Sequence, residues 1–251
     1  MGVPARTRDP LAPLVRLPGI AAEAETVRRA VAEVHAHRRN RRDWPATAAE
    51  AVVRAARASA ALDGGTTELP ADGPVRDPIL AGALRVAEAL GGLLPTWRRA
   101  PSQALARMHL LAAADLPDVD PDTLGRPRPG VGVAHRLDAL AGLIAGGTEA
   151  PGPLLVAVVH GELLALAPFP SASGVVARAA ARLTAISTGL DPKGLAVPEV
   201  GHLRASAEYR AAADAFAGGG PEGLTRWFAH CAAAWQVGAR EALGIAGAAA
   251  G

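Results

Sequence analysis

Residues 153–166 read P-L-L-V-A-V-V-H-G-E-L-L-A-L, apolar on nearly every side of a helical wheel. A helix with one apolar stripe lies on a surface, whereas one that is apolar all round needs neighbours on every side. The β-branched residues would also suit a buried strand, but the length and the Ala, Gly and Glu content favour helix. This one segment therefore demands a shell of other elements around it. The rest of the chain offers helices for that shell. Amphipathic helical patterns cover 20–43, 47–62, 78–94, 101–115, 135–146, 174–189, 206–217 and 221–243. The first is expected to stop before Trp44-Pro45. The second is expected to start at a Thr47/Glu50 capping box and to end at Gly64-Gly65. Residues 116–134 carry too many Pro, Gly and Asp for either period, and strand content reads as nil. The fold class is all-α, with a central buried helix.

Composition narrows the function classes. The 251 residues suit one domain, and at 3% aromatic content Ala, Leu and Val must fill the core by close helix approach. The division expected is an N-terminal helical extension over 1–45, a helical domain over 46–243 and a flexible tail over 244–251. With 26 basic and 24 acidic residues, a net charge of +2 gives no global pull toward nucleic acid. The densest basic run, Arg38-Arg39-Asn40-Arg41-Arg42, reads as the solvated end of a helix. His35 and His37 have the wrong spacing for a helical metal pair. A single cysteine, Cys231, excludes an intrachain disulfide and reads as a buried small apolar residue. The first residues lack a signal-peptide apolar run, and charged residues or His interrupt each apolar window of membrane length. A cytoplasmic protein with no membrane partner is the expectation.

The segment after the central helix carries what chemistry there is. Ala167-Pro168-Phe169-Pro170-Ser171-Ala172-Ser173-Gly174-Val175-Val176-Ala177-Arg178 runs from a loop into a helix start. Free backbone N–H groups and the helix dipole favour an anion there. Ser171, Ser173 and Gly174 would line that site, with Arg178 one turn in. On a plainer view Ser173 is an N-cap and Arg178 a surface or salt-bridging residue.

This stretch resembles the H-P-F-x-[DE]-G-N-G-R-x-x-R loop of the Fic/Doc (Fido) family, whose members mostly transfer AMP or another phosphate-bearing moiety to protein hydroxyls. Flanking matches run from about Ser59 to Trp235. They include Leu105-Ala-Arg-Met-His109, Leu124-Gly-Arg-Pro-Arg128, V-V-H-G-E-L-L-A-L with His160, Glu208-Tyr209-Arg-Ala-Ala-Ala-Asp214 and Gly220 to His230. More narrowly, the chain resembles a degenerate actinobacterial Fic-like group often labelled oxidoreductase, although it has no dinucleotide fingerprint.

The resemblance implies roles and also their loss. The family's general base is Ala167 here, its magnesium carboxylate Ser171, its Asn Ser173 and its first Arg Val175. Pro168, Phe169, Gly174 and the second Arg, Arg178, remain. Losing a general base costs about 10²–10⁴-fold, and a serine is a weak ligand for a hard cation. No catalytic residue is assigned; His160 and His202 are the candidate substitutes for the base. Ser59-Ala60-Ala61-Leu62-Asp63-Gly64 resembles the family's inhibitory [S/T]-x-x-x-E-[G/N] helix, whose glutamate pairs with the second Arg. The expectation is a catalytically impaired protein that binds a nucleotide or phosphate, or regulates a protein partner. The alternatives are an active transferase with non-standard residues, or a scaffold with a vestigial pocket. ATP or another nucleotide is the cofactor class allowed; magnesium and nucleic acid are not expected, and the sequence leaves the oligomeric state open.

Overall fold

The computed structural model describes residues 9–117 and 119–248. Among the described residues all regular structure is helical, without strands: α1 (Ala12–Val15), α2 (Ile20–Ala36), α3 (Arg38–Arg42), α4 (Trp44–Leu62), α5 (Pro78–Arg99), α6 (Pro101–Ala113), α7 (Val131–Ile144), α8 (Gly152–Leu166), α9 (Ser173–Ser187), α10 (Pro198–Arg204), α11 (Ser206–Gly218) and α12 (Gly220–Ala248). A 3₁₀ turn, Pro121–Thr123, lies in the connection before α7.

The all-apolar segment is α8. Its residues from Pro153 to Gly161 are all buried, as are Leu163 and Leu166. It is packed against α2, α7, α9, α11 and α12. Two antiparallel neighbours, α5 and α6, close one side, and α4 packs beside α5. On the other side α12 carries α2, α10 and α11.

With few rings available, helices approach closely at glycine. A Cβ on Gly82 of α5 would lie 2.1 Å from the Ala112 carbonyl oxygen of α6. One on Gly161 would meet the Trp227 and Phe216 rings under 3 Å, and one on Gly201 would meet the Ala234 backbone at 2.6 Å. Those contacts explain the glycine in H-G-E-L-L and the crossing of α10 over α12.

The structure differs from the sequence reading at several element ends. The helix expected over 20–43 is two helices, because His37 takes an extended ψ of 134° between α2 and α3. The capping box does not form. Chain direction resets at Asp43, Pro45 occupies the first turn of α4 where its missing N–H costs nothing, and Thr47 is buried in the helix. Helix α5 runs past Pro95 to Arg99, anchored by the fully buried Trp97. Short α10 lies in a stretch that carries no helical pattern in the sequence reading. Helix α12 runs past 243 to Ala248, since Ile245 and Ala246 are buried, Ile245 against Ala51, Ala55 and Val197; the expected tail is corrected to that extent. Residues 249–251 lie outside the described residues. The segment set apart as an extension is packed in, with Ile20 and Ala24 in the main core and Val27 and Val31 against Val156 and Trp235.

By length and composition α5 is apolar enough to cross a membrane. It is interrupted by Arg85, which donates to the Leu111 carbonyl and pairs with Asp115. One face of α5 packs on α4, α6 and α9.

Candidate anion site at the start of α9

The loop joining α8 to α9 turns twice through the left-handed region, at Ala167 (φ 40°) and Ala172 (φ 51°). An alanine there is strained by roughly 1–2 kcal/mol, so surrounding contacts must hold the loop. They are specific. Phe169 is buried and stacks on His109, with ring centroids 4.3 Å apart and planes 5° from parallel. The Arg128 backbone N–H donates to the Pro168 carbonyl at 2.7 Å, and Arg128 Nη2 donates to the Leu166 carbonyl at 2.9 Å. Ser173 Oγ donates to the Phe169 carbonyl at 3.2 Å. Gly125 N–H donates to His109 Nδ1 at 2.9 Å, which leaves the ring hydrogen on Nε2, 3.2 Å from Ser171 Oγ. Burial lowers the His109 pKa and so favours this neutral tautomer.

Ser173 is not the N-cap. It is the first residue of α9, its hydroxyl turned back on the loop, and Ala172 in the cap position has no side chain to offer. The cap comes from elsewhere in the chain. Asp63, just past the end of α4, accepts the Val175 N–H through Oδ2 at 3.1 Å. Its other oxygen accepts from Arg178 Nη2 at 2.8 Å. A Cβ on Gly174 would fall 2.3 Å from Asp63 Oδ1, so only glycine leaves room for the carboxylate. An anion therefore occupies the start of α9, and it is the protein's own.

Arg178 lies buried behind that carboxylate. Its Nε donates to Ser59 Oγ at 2.8 Å, Nη2 also donates to the Ser59 carbonyl at 2.9 Å, and Nη1 donates to Tyr209 Oη at 3.3 Å. Burial alone would lower the Arg178 pKa, but the Tyr209 and Asp63 oxygens outweigh it and hold it raised. Thus Ser59, Asp63, Gly174 and Arg178 converge on one point. Gly64 follows Asp63 at φ 89°, the left-handed turn that ends α4. Ser171 is spoken for by His109, and Val175 is packed in the apolar core.

The two candidate histidines lie elsewhere. With the Tyr209 oxygen accepting from Arg178, its own hydrogen goes to His160 Nε2 at 2.8 Å. Behind it, His202 is buried edge-on to His160, with centroids 5.1 Å apart, and shares a 3.0 Å hydrogen bond through Nδ1 with His230 Nε2. His202 thus belongs to an aromatic cluster with Tyr209, and does not approach the loop from outside. Burial pushes the His160 and His202 pKa values well down, helped by the Arg178 charge and neighbouring rings, and pushes the Tyr209 phenol up to about 12. His109, Arg128 and Tyr209 are visible in the flanking stretches, but nothing in those stretches shows that they hold the loop and Arg178.

The residues do not fit a magnesium ion. Where a hard cation needs carboxylate oxygen, Ser171 offers a hydroxyl engaged by His109, and Asp63 is turned to Arg178 and Val175. Among the described residues no group of three or more His, Cys, Asp or Glu side chains could hold a metal.

No family model matches the chain, and no curated protein matches it in sequence. Solved structures do. A Fic family protein from Desulfovibrio desulfuricans G20 is similar over 90% of this chain and 74% of its own, with 20% identity and a TM-score of 0.66. A C. elegans Fic-1 fragment is similar over 93% of this chain and 74% of its own, with 16% identity and a TM-score of 0.68. A variant of that fragment matches with 17% identity over 91% of this chain and 74% of its own, at a TM-score of 0.67. At these identities the likeness is one of architecture: the chain has the all-α fold of the Fic proteins.

Proposed function

We propose that this chain is a Fic-fold protein without ordinary AMP-transfer chemistry, which binds a phosphate group, free or on a nucleotide, at the start of α9 when Asp63 withdraws. The observation that carries the reading is the Asp63 carboxylate lying on the Val175 N–H and Arg178, where an incoming anion would find the same two donors. Asp63 is the more mobile partner by position. It sits one residue past the end of α4 with a quarter of its side chain exposed, whereas the Arg178 side chain is 2% exposed. Exchange of one anion for another keeps Arg178 paired, which a buried guanidinium requires. The histidines that could stand in for the missing base are engaged, His109 by Gly125 and Ser171, His160 by Tyr209 and His202 by His230. The output is then a bound state or a partner contact rather than a transferred group.

Calorimetric titration of phosphate, ADP and ATP tests this. Without magnesium, Asp63→Ala should bind about tenfold or more tighter than wild type, the scale of one charge-assisted contact no longer competed for. Arg178→Ala should lose that binding, and Arg178→Lys should keep part of it. Equal affinities in wild type and Asp63→Ala would overturn the proposal and leave the pocket vestigial.

A further inference from the structure

The break between α2 and α3 borders a cavity away from α9. At His37 the chain leaves the helix with ψ 134° and re-enters it at once, so that Arg38, Arg39 and Arg42 gather beside the end of α12. They enclose a cavity of about 310 Å³ with His37, Asp43 and Gly247. Among the described residues Asp43 is the only carboxylate on its wall, and it is already paired with Arg39 Nη2 at 2.9 Å. Arg38 and Arg42 face solvent, where repulsion between them is tolerated. Among the described residues, two side-chain nitrogens of the wall residues are buried without a partner: Arg39 Nε and His37 Nδ1. A guanidinium nitrogen only donates, so what Arg39 Nε lacks is an acceptor. A buried donor without an acceptor is costly, and native structures seldom leave one unmet.

We infer that this cavity binds a phosphate-class oxyanion, held by the guanidinium groups of Arg38, Arg39 and Arg42 on its wall. A tetrahedral oxyanion supplies several acceptors at once, and guanidinium forks match it in geometry as well as charge. The site uses neither α9 nor Asp63, so it stands or falls independently of the function proposed above.

The probe is inorganic phosphate, titrated by calorimetry into the full chain at low salt, with ADP and a short single-stranded oligonucleotide as parallel arms. Arg178→Ala, which lacks the α9 site proposed above, should still bind one phosphate per chain, and added salt should weaken that binding. In the Arg178→Ala background, Arg38→Glu with Arg42→Glu, both exposed, should weaken binding at least about tenfold without a further change in melting temperature. Arg39→Gln, which retains a shorter polar chain, should weaken it as well. Phosphate binding that survives the double charge reversal in the Arg178→Ala background, or no saturable binding by wild type at about 10 mM phosphate, would overturn the inference. Tighter ADP than phosphate assigns the ligand to nucleotides. Binding of the oligonucleotide alone would replace the small-anion site with a nucleic-acid surface. Loss of binding in Arg178→Ala alone would place the phosphate at α9 instead.

Discussion

At the scale of single residues, the contact between Gly174 and Asp63 has an unusual consequence. Gly174 lies within the first turn of α9 at an ordinary helical φ, so alanine there should be favoured, by up to about 1 kcal/mol of helix propensity. Its Cβ, however, would overlap the Asp63 carboxylate, which is held on its other sides by Arg178 and Val175. Gly174→Ala should therefore destabilise wild type by about 1–3 kcal/mol, the cost of an overpacked contact. In the Asp63→Ala background the same substitution should be neutral or stabilising. Chemical denaturation of the four proteins gives the coupling as a double-mutant cycle. The same loss in both backgrounds would mean that the carboxylate is not held over Gly174.

Among the helices, what the sequence disclosed and what it hid have different physical causes. The interior of α8 was legible because a run with no polar side leaves one solution, burial on every side. The starts of α3 and α4 and the cap of α9 were not, although the stop of α4 at Gly64 was. At α4 the Thr47 and Glu50 spacing matched a capping box, but Pro45 two residues earlier had a stronger claim on the first turn. At α9 the local sequence held a fitting cap in Ser173, while the side chain that caps the helix is Asp63, a residue 112 positions earlier than Val175. A sequence window cannot rank a local donor against one delivered by the fold. Close helix approach is hidden for the same reason. Gly82 and Gly92 both lie in α5, yet a Cβ on Gly82 would strike the Ala112 carbonyl and one on Gly92 would meet nothing within 4 Å. Gly82→Ala should thus cost about 1–3 kcal/mol or more, because the obstacle is backbone and cannot rotate away. Gly92→Ala should gain up to about 1 kcal/mol. Thermal melts of the two variants check both signs, and similar shifts would show that α5 and α6 are not in such contact.

Over the whole molecule, a core so poor in rings has histidine doing part of an aromatic residue's packing. His160 on α8, His202 on α10 and His230 on α12 close around Tyr209 on α11 and Trp227 on α12, at centroid distances between 4.7 and 6.1 Å. One cluster thereby joins four helices and touches Arg178 through the Tyr209 hydroxyl. Rings that can take up a proton make that joint sensitive to acid. The His202 and His230 nitrogens share a single hydrogen across 3.0 Å, and protonating both would set two N–H groups against each other. His160 already accepts from Tyr209 and lies near the fixed Arg178 charge. Both His160 and His202 therefore stay neutral in the folded chain well below the usual histidine range, chiefly because they are buried. The unfolded chain takes up these protons as pH falls through about 6.5, and the folded chain does not. Stability from this source is full above about pH 6.5 and declines below it, by about 1.4 kcal/mol per pH unit for each histidine until its folded pKa is reached. Denaturation between pH 7.5 and 5 should show that slope, and His202→Phe should reduce it by about one proton while keeping a ring in the joint. A slope unchanged in His202→Phe would mean that the acid sensitivity arises outside the cluster.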